Sequence, residues 1–193
     1  MIGIDRKSGK VLWNTEVHRQ VPGPKRAQNS YATPTPVSDG KRVYAAFYDG
    51  TVVAVDFDGK RVWKNEEVDF HSLHGLGASP ILTGDLLIMP FDGSSPQEQR
   101  VGWKEPWDQA VLLAIDKQTG KTAWRGKRGL SRVGHVTPIT LDNGQTVISA
   151  GGDRVQAHDA RTGERIWSVY SQGEGVTPSP VLGEGLIFTS SGF

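Results

Sequence analysis

The sequence predicts an all-β fold, a β-propeller of four-stranded antiparallel blades, and three observations carry that expectation. First, one short phrase ending in tryptophan is written four times. It reads Ile4-Asp5-Arg6-Lys7-Ser8-Gly9-Lys10-Val11-Leu12-Trp13, Val55-Asp56-Phe57-Asp58-Gly59-Lys60-Arg61-Val62-Trp63, Ile115-Asp116-Lys117-Gln118-Thr119-Gly120-Lys121-Thr122-Ala123-Trp124 and His158-Asp159-Ala160-Arg161-Thr162-Gly163-Glu164-Arg165-Ile166-Trp167. The tryptophans are 50, 61 and 43 residues apart, a spacing that belongs to stacked supersecondary units. Second, a proline-bearing phrase precedes each complete copy. Third, the segments between the two phrases are apolar on both faces, and none shows sustained helical periodicity.

Each tryptophan phrase reads as a hairpin. A strand ends in Asp, a polar turn closes on Gly, and a second strand runs into Trp. Glycine at the end of the turn supplies the positive φ of a longer hairpin loop with a bulge. The Asp side chain can accept hydrogen bonds from N–H groups inside its own turn, and Ser or Thr can do likewise. The copy at Asp56 is one residue shorter and keeps an Asp-Gly pair at its tip.

The proline phrase appears as Ala32-Thr33-Pro34-Thr35-Pro36-Val37, Gly77-Ala78-Ser79-Pro80-Ile81, Val136-Thr137-Pro138-Ile139 and Val176-Thr177-Pro178-Ser179-Pro180-Val181. Proline at a strand start removes no ladder hydrogen bond that an interior position would need. Each phrase leads through a polar turn into a second strand, such as Val43-Tyr44-Ala45-Ala46-Phe47 or Thr146-Val147-Ile148-Ser149-Ala150. One unit is therefore a meander of strands A, B, C and D. Strands apolar on both faces need neighbours on both faces, which radial stacking of blades provides.

In order along the chain, residues 1–17 read as strands C and D of a first blade. Residues 32–68, 78–128 and 136–170 read as complete blades, and 176–193 as strands A and B of a further one. This phase predicts a partial propeller belonging to a longer chain. The alternative is that the terminal halves pair into one blade and close a ring of four.

Composition bounds the function. With 193 residues, 36% hydrophobic and 22% charged, the chain has ordinary globular character. Its formal charge of +1 comes from 22 basic and 21 acidic residues scattered along the chain, with no basic stripe for nucleic acid. No apolar run approaches the roughly 20 residues of a transmembrane helix, and no signal-peptide pattern is visible. The absence of cysteine removes disulfides, cysteine-based zinc sites and thiol nucleophiles together.

The phrase Asp-x-x-Thr-Gly-Lys-x-x-Trp with a preceding Ile or Val resembles the repeat of the pyrroloquinoline-quinone (PQQ)-type β-propellers. That superfamily includes quinoprotein alcohol dehydrogenases and the non-catalytic propeller lipoprotein of the outer-membrane assembly machinery. The resemblance implies that Trp13, Trp63, Trp124 and Trp167, with Gly9, Gly59, Gly120 and Gly163 of the turns, dock one blade on the next. It also implies an exported, periplasmic protein. Dehydrogenases of the superfamily carry a pair of adjacent cysteines, a calcium site and a catalytic aspartate at the axis. None of these is matched here, and Asp5, Asp56, Asp116 and Asp159 are accounted for by their turns. The expectation is a non-catalytic scaffold. The alternative is a fragment of a dehydrogenase that binds PQQ with calcium.

Function is then sought in what the repeats leave out. In a meander, B–C and D–A connections share one edge of the blade. The B–C connection of the second complete blade is swollen and holds Trp103, Trp107 and Asp108, the two tryptophans being those the repeats do not use. Long loops in compact domains are uncommon and often functional. The D–A connections carry His18, His71, His74 and His135, together with basic residues including Arg128 and Arg132. The expected binding face is thus His71, His74, Trp103, Trp107, Asp108, Arg132 and His135, receiving a protein or a small-molecule ligand. No metal site is expected, because a His71-x-x-His74 spacing is non-specific on a loop and no acidic ligand is fixed beside it.

Overall fold

A computed structural model describes residues 1–20, 23, 30–72, 74–93, 109–130, 133–141, 143–171 and 178–190. Sixteen strands and no helix occur among them. Strands β1 (Ile2–Ile4) and β2 (Val11–Asn14) form a two-stranded sheet. Strands β3 (Val37–Ser38), β4 (Arg42–Ala46), β5 (Val52–Asp56) and β6 (Arg61–Asn65) form the first four-stranded meander. The second comprises β7 (Ile81–Thr83), β8 (Leu86–Phe91), β9 (Val111–Asp116) and β10 (Thr122–Lys127). The third comprises β11 (Ile139–Thr140), β12 (Thr146–Gly151), β13 (Arg154–Asp159) and β14 (Arg165–Tyr170). A last two-stranded sheet pairs β15 (Val181–Gly183) with β16 (Leu186–Phe188). Among the described residues no strand pairing joins the two end sheets.

All pairings are antiparallel and the register repeats. One row of residues crosses each complete blade: Val37, Tyr44, Ala54 and Trp63, then Ile81, Ile88, Ala114 and Trp124, then Ile139, Ile148, Ala157 and Trp167. The strand C position is small in every row, which leaves room for the indole beside it. In the end sheets, Val181 faces Phe188, and Gly3 faces Trp13.

Every C–D hairpin carries a register shift, at Gly3/Ile4, Ala54/Val55, Thr122/Trp124 and Ala157/His158. The turns follow from their sequence. Asp5 Oδ1 accepts the Ser8 N–H at 2.7 Å, Asp116 Oδ1 that of Thr119 at 2.7 Å, and Asp159 Oδ1 that of Thr162 at 2.9 Å. In these three turns the glycine N–H returns to the Asp carbonyl at 2.8 to 2.9 Å. The shorter copy closes with Lys60 N–H on Asp56 Oδ1 at 2.8 Å. The hydrogen bonds hold the Asp5, Asp116 and Asp159 carboxyls below the usual carboxylate range.

The core lies between sheets. Leu87, Met89, Leu113 and Ile115 of one blade close on Tyr44, Ala54 and Trp63 of the preceding one, all buried. A second layer joins Ile88, Leu112 and Ala114 to Val147, with Trp124 at its margin. Full burial of each Val, Leu or Ile contributes roughly 1.5–3 kcal/mol, so each interface is held chiefly by apolar contact.

At each interior joint an indole sits on the next blade's C–D turn. Trp13 Nε1 donates to Phe57 O at 2.6 Å, Trp63 Nε1 to Lys117 O at 3.0 Å and Trp124 Nε1 to Ala160 O at 3.0 Å. The ring then lies flat against the glycine that follows. A Cβ added to Gly59 or Gly120 would fall 2.6 Å from Cδ2 of Trp13 or Trp63, and one on Gly163 would fall 2.7 Å from Cδ2 of Trp124. Only glycine admits this approach, and at Gly120 a φ of +75° demands it independently.

A second link runs along the A strands. Thr35 N–H donates to Ser79 Oγ, and Ser79 N–H to Thr137 Oγ1, both at 2.9 Å. Each hydroxyl belongs to the residue immediately before a blade's proline.

Two outcomes test the joint. Trp124→Ala is expected to lower stability by about 3–5 kcal/mol through lost packing, measured by denaturant unfolding; a loss under about 1 kcal/mol contradicts it. Gly120→Ala is expected to cost clearly more than Gly84→Ala. Both glycines have positive φ, but nothing lies within 4 Å of a Cβ at Gly84. Equal losses would mean that the indole contact adds nothing to backbone strain.

Candidate binding face

The B–C and D–A connections gather on the edge opposite the Asp-Gly turns. They are tied to one another by specific bonds. His18, after β2, places Nε2 2.7 Å from Asp49 Oδ2 in the turn between β4 and β5. Burial pushes the Asp49 carboxyl up, but the bonds from His18 and Thr51 prevail and hold it below the carboxylate range. Tyr48, in the same turn, donates its hydroxyl to Ser72 O at 3.0 Å and meets the Tyr31 ring edge-on at 5.0 Å. Phe70 N–H donates to Asp49 O at 3.2 Å, tying the next D–A connection to this turn.

Of the expected face, the structure brings together His74 and His135, whose rings meet edge-on at 5.6 Å. They come from D–A connections of successive blades. Burial, and then the charge of neighbouring His74, pushes the His135 imidazole down from 6.5 to about 4. His71, on the same connection as His74, is lowered by burial against the opposing pull of Asp69, and its Nε2 is buried without a hydrogen-bond partner. The His71 and His135 rings are therefore neutral at pH 7. Among the described residues no group of three or more His, Cys, Asp or Glu is arranged to hold a metal ion. Trp103, Trp107, Asp108 and Arg132 lie outside the described residues.

Arg128 differs from its expected place among the basic groups of the rim. It is fully buried directly after β10, where its N–H donates to Ala110 O at 3.1 Å. Its Nη2 pairs with Asp92 Oδ2 at 3.0 Å, Nη1 donates to Ser149 Oγ, and its carbonyl accepts Gln156 Nε2 at 2.7 Å. Burial raises the Asp92 carboxyl to about 6 while the guanidinium opposes the rise. A buried pair of this kind fixes geometry more than it adds stability. Here it anchors the start of the swollen B–C connection to the end of β10 and to the next blade. Nothing in the spacing of Asp92 and Arg128 marks them as partners; the one signal is that each directly follows a strand end.

The repeat residues lie elsewhere. Asp5, Asp56, Asp116 and Asp159 sit in turns on the opposite edge, engaged as described. His158 is there too, buried, with Nδ1 3.1 Å from Gly163 O. Trp167 and Gly9 are the two repeat positions left without counterparts. Trp167 is 37% exposed, and no atom lies within 4 Å of a Cβ at Gly9.

The family described as outer membrane protein assembly factor BamB matches residues 1–98 and 106–192. The Bordetella pertussis protein of that name is 29% identical over 155 residues, covering 78% of this chain and 34% of the relative. The crystal structure of BamB from Moraxella catarrhalis superposes with a TM-score of 0.64 at 18% identity, covering 95% of this chain and 50% of that one. A lanthanide-dependent methanol dehydrogenase from Methylacidiphilum fumariolicum is 34% identical over 70 residues, covering 32% of this chain and 12% of the enzyme. The chain thus spans about a third of the B. pertussis protein and half of the M. catarrhalis one.

The buried histidine gives a pH prediction with a definite sign. The unfolded chain takes up the His135 proton near 6.5, the folded chain only near 4. Stability from this residue is therefore lost as pH falls through that window. Asp92, raised from 3.8 to about 6, acts oppositely and masks part of the loss. Relative to wild type, His135→Gln is expected to gain close to tenfold in folding constant per pH unit between pH 6 and 4.5. Parallel curves for the two proteins across that range contradict the assignment.

Proposed function

Since the chain belongs to the outer membrane protein assembly factor BamB family, we propose that it is a non-catalytic propeller scaffold whose B–C and D–A loop face binds a protein during assembly of the outer membrane. The observation that carries this reading is the fate of the recurrent carboxylates. Asp5, Asp56, Asp116 and Asp159 each accept N–H groups of their own turn, on the edge away from the loops. What remains for recognition is the loop face. It offers the paired imidazoles of His74 and His135 and the exposed side chains of Arg19 and Asp69. Mixed polar and aromatic surface of this composition suits a protein rim. Such a role places the protein in the periplasm.

The methanol dehydrogenase similarity raises PQQ with calcium as the other reading. The donor set does not fit it. The chain has no cysteine, and the described acidic and imidazole groups form no three-ligand cluster. The repeat carboxylates are committed to their turns.

Photo-crosslinking tests the face directly. A crosslinker at Asp69, Trp103 or Trp107 is expected to capture outer-membrane assembly proteins in cells, while one at Lys60 on the opposite edge is not. Capture from Lys60 alone, or from all positions equally, would refute the loop face. Saturable PQQ binding in the presence of calcium, with dye-linked alcohol oxidation, would refute the non-catalytic reading.

A further inference from the structure

The two joints between complete blades bury different chemistry. Residues at matching register set the face that each blade turns to the preceding one. In the second complete blade they are Leu87, paired with Ile115, and Met89, paired with Leu113. In the third they are Val147, paired with His158, and Ser149, paired with Gln156. All eight side chains are fully buried. The first complete blade is apolar at the same places, with Val43, Ala45, Val53 and Val55 packed under Val17. The third blade alone places a hydroxyl, an amide and an imidazole in this layer.

These groups meet the buried Asp92–Arg128 pair of the second blade. Arg128 Nη1 donates to Ser149 Oγ, and Gln156 Nε2 donates to the Arg128 carbonyl at 2.7 Å. The fit is close, since a Cβ on Gly151 would run into both Asp92 Oδ2 and Arg128 Nη2. It is also incomplete. Asp92 Oδ1, Arg128 Nε, Gln156 Oε1 and His158 Nε2 are buried with no hydrogen-bond partner among the described residues. A polar atom buried in this way has given up its hydration for nothing, and recovers it when water enters. Apolar cohesion is weaker here as well. Seventeen buried apolar residues form the cluster across the first and second blades, whereas Val147 and Ala160 are the third blade's buried members of the cluster it shares with the second.

We infer that the joint between the second and third complete blades is a latched seam, along which the two blades part while each keeps its own strand ladder. Arg128 is the latch, because the bonds with Ser149 and Gln156 both end on it. Asp92 is a positioning residue that holds the guanidinium toward Ser149. The other links across this joint, from Trp124, Thr83 and Ser79, are only part-buried, so water can replace them. On the loop face, parting separates the root of the swollen B–C connection at Asp92 from the turn at Asp153. That consequence for recognition rests on the loop-face reading; the seam itself does not.

The absence of cysteine lets single thiols report the parting. Ala54 and Ala114 hold the same row position, opposite Trp63 and Trp124, and both are fully buried toward the following blade. In native buffer at pH 7, the Ala114→Cys thiol is expected to react with a maleimide at least about tenfold faster than the Ala54→Cys thiol. The amides of β12 and β13 are expected to keep their hydrogen-exchange protection under the same conditions. Asp92→Asn leaves the Arg128 charge without its partner, so adding it should speed labelling of the Ala114→Cys protein about tenfold further and leave that of the Ala54→Cys protein unchanged. Equal rates for the two thiols overturn the seam. Loss of β12 and β13 protection in step with labelling also overturns it, because the third blade would then be unfolding rather than parting. A labelling rate at Ala114→Cys that ignores Asp92→Asn overturns the assignment of Arg128 as the latch.

Discussion

The contact between each D-strand indole and the glycine of the next blade's C–D turn is the constraint on which the rest of the molecule depends. It is a steric requirement before it is an energy. The ring lies so close to the turn backbone that a Cβ would enter its van der Waals shell. The turn is presented at the right height because an aspartate side chain ties its N–H groups and a register shift bends the hairpin. The small residue of strand C leaves space for the indole. Remove any one part and the others lose their purpose, which explains why they recur together. The apolar layers between sheets supply most of the free energy, but they are not directional. The indole hydrogen bond to a defined carbonyl sets the position of one blade on the next.

Much of this was legible in the sequence because a repeated unit shows its parts repeatedly. The strand order, the bulged hairpins and the turn role of the aspartates follow from local chemistry, and four copies average out the exceptions at Asp58 and His158. What stayed hidden depends on residues far apart in the chain. Arg128 reads as a surface cation on a loop, yet it is buried on Asp92, whose position 36 residues earlier carries no motif. The Ser79 and Thr137 hydroxyls were in plain view beside their prolines. Their role as acceptors across blades needs the curvature of the stack, which composition does not contain. Of the loop face, the approach of His74 to His135 was foreseeable only as a shared edge, and the strongly depressed imidazole reflects burial that no spacing reports.

The division of labour between the two edges follows from the meander itself. Turns that build the joint occupy one edge and are constrained by it in length, in glycine and in aspartate. Connections on the other edge bear no such duty and can lengthen. The swollen B–C connection begins at Asp92, and its root is clamped by the buried pair of Asp92 with Arg128, which also donates to Ser149. A rigid root on a stacked scaffold suits a surface that recognises another protein, because less ordering is left to be done on binding. It also leaves loop residues free to vary without disturbing the stack.

Native-state hydrogen exchange on Trp63→Ala tests the central claim most directly. If the indole joint couples adjacent blades, protection should fall together in β5 of the blade that carries Trp63 and in β9 of the blade that receives it, while β13 keeps its protection. Loss confined to β5 and β6, with β9 exchanging as in the wild type, would contradict the account.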